Sequence, residues 1–509
     1  MKSLQPKSAF YPASRRRLLE ACAGLLMAAC LGSCGGSSDS PSATTSAGSA
    51  GGTTTSPSAT PTPSTPATTG PGTTPAPSTT TPGGPTTGST PTTVQAYPAD
   101  VLMHHNDLAR TGQMLSETTL TLTNVNSTMF GKLRFLPADG KVDGQPLFVT
   151  NLTMGTAVHN VVYVVTEHDS IYAYDADIGA ALWQISLAGA GETSSADPGC
   201  TDLTPEIGIT STPVIDRSRG PHGALYAVAM TTDAGGNVHH RLHAIDLATG
   251  AELFSGPTEI AATYPGSGAE GANGVLIFTP ALHTERVALT LVNGSIYMGW
   301  TAHCMSGAYS GWLMTYSADT LKQTGALPVT PNGSQGSIWM AGSGMASDGT
   351  SIYFIDGNGT FGTTLNAQGF PVNGDLGDAF IKLSATPTPV ATDYFAMFDV
   401  VAQSAADNDF GSGGTMLLPD QTTSNGTVKH LAVGAGKDNN IYVVDRDNMG
   451  KFSPTSNNIW QELIGVLAGG IWGSPAYFNH VVYYGGQTDT LKAVWTYNSA
   501  RAFAAKRAQ

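Results

Sequence analysis

The chain has 509 residues, 40% hydrophobic and only 12% charged, with 37 acidic against 23 basic side chains and a formal charge of −14. No basic run occurs in the part that can fold, which excludes a phosphate-neutralising surface for nucleic acid. Sixty-one glycines and the low charge suit an exported β protein with many tight turns.

Residues 1–33 read as an export signal. Arg15, Arg16 and Arg17 precede an apolar run from Leu18 to Leu31, broken only by Glu20. Leu31-Gly32-Ser33-Cys34 resembles a bacterial lipobox, which implies that Cys34 carries lipid, and the three arginines resemble a twin-arginine signal. Gly35 stands where an aspartate would retain a lipoprotein at the inner membrane, so the expected place is an outer-membrane anchor in the bacterial cell envelope. The domain then hangs periplasmic or surface-exposed.

Residues 34–96 are almost all Ser, Thr, Pro, Gly and Ala, with Asp39 the single charge. Such a segment cannot bury enough apolar surface to offset its ordering entropy, so it reads as an extended tether. About sixty residues at about 3.1 Å each reach at most about 190 Å. Residues 97–509 are left to fold. Of five cysteines, Cys22 and Cys30 belong to the signal and Cys34 to the lipid. Cys200 and Cys304 remain, an even pair in an oxidising compartment, and read as a disulfide.

The folding part is periodic. GQPLF at Pro146, TSTPVI at Pro213, FTPAL at Pro280 and GSPAYF at Pro475 recur, with degenerate copies GSGMAS at Met345 and GSGGTMLL at Thr415. Successive spacings are 67, 67, 65, 70 and 60 residues. Each marker is followed by a strand such as VVYVV, ALYAV, SIYMGW or SIYFI, then a hairpin, then a strand such as SIYAYDADIG or RLHAIDLATG. The Asp and Gly of these endings are turn residues, and the alternation of β-branched and aromatic side chains reads as antiparallel strands. Six units of three or four strands cannot each bury a face alone. Radial stacking buries them all, so the expected fold is all-β, a β-propeller of about six blades.

HHNDLARTG at 104–112, TEHDSIYAYDAD, TPEIGITSTPVID, GAGKDNNIYVVDRDNMGKF and GGIWGSPAYFNHVVYYGG resemble exported bacterial propellers with repeats of the pyrroloquinoline-quinone (PQQ) type. The resemblance implies seven or eight blades in the full family. Here NSARAFAAKRAQ after the sixth marker shows no strand pattern, so the sixth unit lacks an outer strand. Either residues 100–143 supply it or the ring is incomplete. The dehydrogenases of that family imply a quinone held by calcium, an arginine, an aspartate base, a tryptophan and adjacent cysteines. No Cys-Cys pair occurs here.

Propeller topology sorts candidate ligand-binding residues onto one channel rim. The loops entering inner strands carry Asp202, Glu206, Trp339, Asp407, Asp409 and Trp472. The turns between second and third strands carry Glu167, His168, Asp169, His303, Lys437, Asp438 and Asp489, with Cys304. Trp339 and Trp472 could stack a flat ligand or pack between blades. Asp445 to Gly450 has the first half of a calcium loop and reads as a hairpin turn. His239, His240 and His243 read as a solvated strand edge rather than a metal set. Asp107 and Arg110 are spaced to pair. No hydrolase elbow, zinc-protease motif or phosphate loop is present. The reading is a non-catalytic, lipid-anchored propeller that binds a ligand or envelope protein, with no assigned metal. The alternatives are a PQQ- and calcium-dependent dehydrogenase of alcohols or sugars, and a polysaccharide-binding or polysaccharide-active propeller.

Overall fold

The computed structural model describes residues 100–196, 199–201, 203–305, 307–423 and 425–495, and the backbone of Ala504–Arg507. The stretches read as export signal and tether, with Cys34, and Asp202 lie outside the described residues.

Six antiparallel sheets follow one another, and each begins with its innermost strand. Blade 1 orders Leu147–Met154, Ala157–Val165, Ser170–Asp175 and Ala181–Ser186. Blade 2 is built on Ala224–Thr232 and Val238–Asp246, blade 3 on Ser295–Ala302 and Trp312–Ser317. Blade 4 is built on Ser351–Ile355 and Ala379–Ser384, blade 5 on Leu431–Ala435 and Ile441–Asp445, blade 6 on Val481–Tyr484 and Lys492–Trp495. The single α-helix among the described residues is Val400–Ala405. The chain is a β-propeller.

The core lies between blades. One apolar cluster joins blades 1 and 2, another blades 2 and 3, a third blades 3 to 5, and a fourth blades 5 and 6. The second-strand tyrosine of the repeat shows why it recurs. Its ring fills the inter-blade core and its hydroxyl reaches a carbonyl of the next blade: Tyr163 to Leu247 at 2.7 Å, Tyr226 to Ala318 at 2.8 Å, Tyr297 to Thr386 at 2.9 Å. A phenol suits this place because its buried O–H must find an acceptor.

Three expectations need correction. The sixth sheet does have an outer strand, Ala504–Arg507, paired antiparallel with Lys492–Trp495. An outermost strand is held by one backbone ladder and need not show an apolar alternation. Residues 100–143 therefore do not supply it. Val101 pairs with Phe148 on the innermost strand of blade 1, and Leu136 covers the outer face of that blade. FTPAL at Pro280 does not open the third inner strand; it forms a short 3-10 turn at Pro280–Leu282. A small sheet of Thr263–Pro265, Gly271–Ala272 and Val275–Ile277 is inserted before it, and the inner edge of blade 3 follows in two pieces, His283–Glu285 and Thr290–Val292, both paired with Ser295–Ala302.

The HHNDLARTG stretch lies against the inner strands of every blade. Val101 bonds Phe148 of blade 1, and the Leu102 carbonyl accepts Ile215 N of blade 2. The carbonyls of Leu108, Ala109 and Thr111 accept the N–H groups of Ser347, Leu417 and Tyr477 in blades 4, 5 and 6. Blade 3 is reached by Arg110, whose guanidinium donates to Thr290 Oγ1 at 2.6 Å, Met345 O at 2.9 Å and His104 O at 2.7 Å. Arg110 is fully buried, and burial lowers it to about 10, so it stays charged at neutral pH. It does not form the expected ion pair. The Asp107 carboxylate instead takes Thr111 N at 3.0 Å and the Thr111 hydroxyl. Gly344 is required here, because a Cβ there would sit 2.6 Å from the guanidinium carbon.

Replacing Arg110 with Met would remove three hydrogen bonds from a charged donor, leaving the His104 carbonyl without that donor and Met345 O with only the Thr290 hydroxyl at 3.1 Å. The expected loss is about 3 kcal/mol or more, read as a lower denaturant midpoint, with Arg110→Lys recovering part of it. An unchanged midpoint would refute the axial role.

Candidate functional site

The rim candidates fall into three separate junctions. At the first, between blades 1 and 2, Glu167 Oε2 accepts Gly208 N at 2.8 Å and Thr210 Oγ1 at 2.9 Å. Gly208 permits this approach, since a Cβ there would meet the Glu167 carbonyl at 2.4 Å. His168 pairs with Glu206 at 2.8 Å on the exposed side, and that partner raises its pKa. Asp169 is fully buried with no donor to either carboxylate oxygen. Burial and the nearby Asp143 carboxyl push Glu167 up to about 8, and burial pushes Asp169 up to about 7.

At the second junction, between blades 4 and 5, buried acids tie neighbouring loops together. Asp378 Oδ1 accepts Phe410 N at 2.8 Å, and Asp409 Oδ1 accepts Asn358 N at 3.0 Å. Lys437 spans Asp407 at 2.8 Å and Asp409 at 3.4 Å. Asp438 takes the Tyr442 hydroxyl and Asn440, and burial raises its pKa. Burial first, then the neighbouring carboxylates, hold Asp356 and Asp378 well above the carboxylate range. Trp472 stands in the next loop and is 44% exposed, so it is open to a stacking ligand. Asp489 lies on blade 6, where it bonds Ala468 N and Lys492.

The third junction is a cavity of about 80 Å³ at the head of blade 3. His303 and Trp339 meet there with Thr284, Thr301, Leu203 and Arg286. Cys200 and Cys304 form a disulfide with Cα atoms 5.7 Å apart, which ties the segment before blade 2 over this cavity. Trp339 is only 8% exposed, with the Arg286 guanidinium 5.6 Å from its ring centre. Sequence reasoning missed Arg286, Glu285, Asp356 and Asp378. They carry no motif, and the only available signal was a lone charge beside an inner or second strand.

One other expectation ends differently. The histidine triplet is not a solvated edge: His240 and His243 are buried. The inserted segment covers this strand, so His240 Nε2 lies 3.1 Å from Pro280 O and 3.0 Å from His283 O, and burial lowers it to about 3. His243 pairs with Glu252 and His239 with Glu259. Among the described residues no group of three His, Cys, Asp or Glu is placed to hold a metal ion. In the Asp445 loop the carboxylate is taken by Lys429 at 2.7 Å and by Asp447 N at 3.1 Å, which is a hairpin turn.

No protein-family model matches the chain, and no curated protein matches it. Solved structures share its fold. Quinohemoprotein alcohol dehydrogenase from Comamonas testosteroni is 16% identical, with a TM-score of 0.48 over 79% of this chain and 60% of that one. A europium-containing methanol dehydrogenase is 15% identical, with a TM-score of 0.46 over 72% and 58% of the two chains. BamB from Moraxella catarrhalis is 13% identical, with a TM-score of 0.31 over 69% and 83%. The chain thus spans about three fifths of the length of those dehydrogenases. At these identities and TM-scores the likeness adds nothing beyond the fold that the sheet order already shows, a β-propeller.

Two measurements follow from the junction chemistry. Between about pH 5 and about pH 8 the folded chain holds protons on Asp169 and Glu167 that the unfolded chain has released. Stability should therefore fall as pH rises through that window, and Glu167→Gln should flatten the decline in thermal midpoint. Below about pH 4 the sign reverses, because Arg241 holds Glu192 down at about 2. Peptide mapping without reductant should recover Cys200 joined to Cys304. Closing a loop of 104 residues contributes about 4–5 kcal/mol in the chain-entropy picture. Reduction should accordingly lower the unfolding midpoint, and two alkylatable thiols in the unreduced protein would contradict the pairing.

Proposed function

We propose that the chain is a non-catalytic binding propeller, held at the bacterial cell envelope by lipid on Cys34 and presenting its rim to a ligand or envelope protein. The observation that carries this reading is the employment of the rim acids. Glu167, Asp378 and Asp409 each accept a backbone N–H across a blade junction, and burial keeps their pKa values high. They are mortar between blades, so they are poorly placed to act as bases or to ligate a cation.

The dehydrogenase reading has one feature in its favour: a disulfide, an indole and a guanidinium meet at one cavity. The residues do not fit a tricyclic quinone. The cysteines are 104 residues apart rather than adjacent, Trp339 has little free ring surface, and the cavity holds about six water-sized atoms. A polysaccharide reading rests on Trp472, which is exposed and free to stack on a sugar ring.

The purified protein incubated with micromolar quinone and calcium should show no bound-cofactor absorbance and no dye reduction with alcohols or aldoses. Uptake with turnover would overturn the binding reading. In cells, Cys34→Ala should release the domain from the membrane fraction, while crosslinking of the wild type should trap an envelope partner. Glycan-array binding abolished by Trp472→Ala would put the polysaccharide reading in its place.

A further inference from the structure

The cavity at the head of blade 3 contains a charge whose hydrogen-bonding capacity is unused. Every other arginine with a described side chain has an acceptor. Arg110 donates to three oxygens, Arg134 to the Ala176 carbonyl, and Arg217 and Arg219 to Asp100 and Asp216. Arg241 pairs with Glu192 and Glu259, and Arg446 with Asp348. Arg286 alone among them has neither an ion pair nor a hydrogen bond. It is half-buried, and its guanidinium stands 5.6 Å from the centre of the Trp339 ring.

That contact leaves the chemistry unfinished. A guanidinium over an aromatic face is attracted by the ring quadrupole. Its five N–H donors, however, lie in its own plane and gain no acceptor from the ring. Planar donors in fork geometry match a carboxylate, two bonds at a time. The surrounding walls are mostly apolar: Leu203, Ala302, the indole and the Cys200–Cys304 disulfide. One cation against such walls balances a single negative charge. Arg286 is the one lining side chain that is charged at every physiological pH, and the chain as a whole already stands at −14, which favours a single negative charge over two. The volume of about 80 Å³ keeps the ligand small, and the cavity is open on one side, so part of a single-ring acid would lie at its mouth.

We propose that this cavity binds a small monocarboxylate, a short-chain or single-ring acid, with its carboxylate on the Arg286 guanidinium and its apolar body against Leu203, Ala302 and the disulfide. The inference deepens the binding reading, on which it rests, by naming a ligand class for the rim. It also gives the disulfide a second task. Besides closing a loop, it brings Cys200 to the wall of the site beside Leu203.

Ligand-observed NMR with the purified full-length protein tests it, using benzoate and propionate as the acids and benzamide as the neutral match for benzoate. Wild type should bind benzoate about tenfold or more tightly than benzamide, the difference a charged hydrogen bond makes. Arg286→Met should reduce benzoate binding to the benzamide level, while Arg286→Lys, which keeps the charge but loses the fork, should fall between. Equal binding of benzoate and benzamide to wild type would overturn the proposal, and that comparison needs no variant to fold. Undiminished benzoate binding in a folded Arg286→Met protein would overturn it too. The quinone-uptake assay fails separately: turnover there would remove the binding reading, whereas loss of benzoate binding alone would leave an envelope partner in place.

Discussion

The fold turns on a buried cation at its axis. Five of the six sheets offer innermost strands of only two or three residues, and short strands alone make few contacts with one another. Residues 101–111 supply what is missing, a backbone that bonds to blades 1, 2, 4, 5 and 6 and a guanidinium that reaches blade 3. Arg110 itself sits at a φ of +64°, a conformation that costs a non-glycine residue free energy. Three short hydrogen bonds from a charged donor offset that cost, and they also explain how an unpaired charge survives full burial. Removing the charge would take away all three bonds, so the axis is the least forgiving part of the molecule.

Outward from the axis, polar groups do the work of joining blades and apolar groups the work of filling between them. The tyrosine hydroxyls of blades 1 to 3 all reach the next blade, and the rim acids take backbone N–H groups across the junctions. Such placement changes the meaning of an acidic rim. Carboxyls with raised pKa values are often a sign of catalysis. Here burial is the leading cause in each case, and the partners are main-chain donors of a neighbouring loop, which is the pattern of a structural staple. The one rim charge without an assigned acceptor is positive and lies elsewhere, over Trp339.

Much of this was legible in the chain before folding. The period near 67 residues, the strand tyrosines and the Asp/Gly turns state the propeller, because they follow from local strand and turn chemistry repeated in step. The cysteine pair was legible too, by elimination of the others. The misreadings share a cause. FTPAL resembled an inner-strand marker only because an insertion shifted the true one, and NSARAFAAKRAQ hid a strand whose edge position asks little of its side chains. His240 looked solvated because nothing local reveals that residues 263–283 fold over it.

What the sequence alone determined is the repeat and therefore the architecture, since strand alternation and turn residues act over a few positions. What only the tertiary structure decided is which polar residues are mortar and which is free. Asp107 and Arg110 sit three apart yet serve different partners, and Glu167 is spent on a backbone 41 residues away. Arg286 is left without an acceptor although the buried Glu285 precedes it as the last residue of the strand His283–Glu285. Pairing is settled by proximity in space, and burial then sets the charge each group can carry.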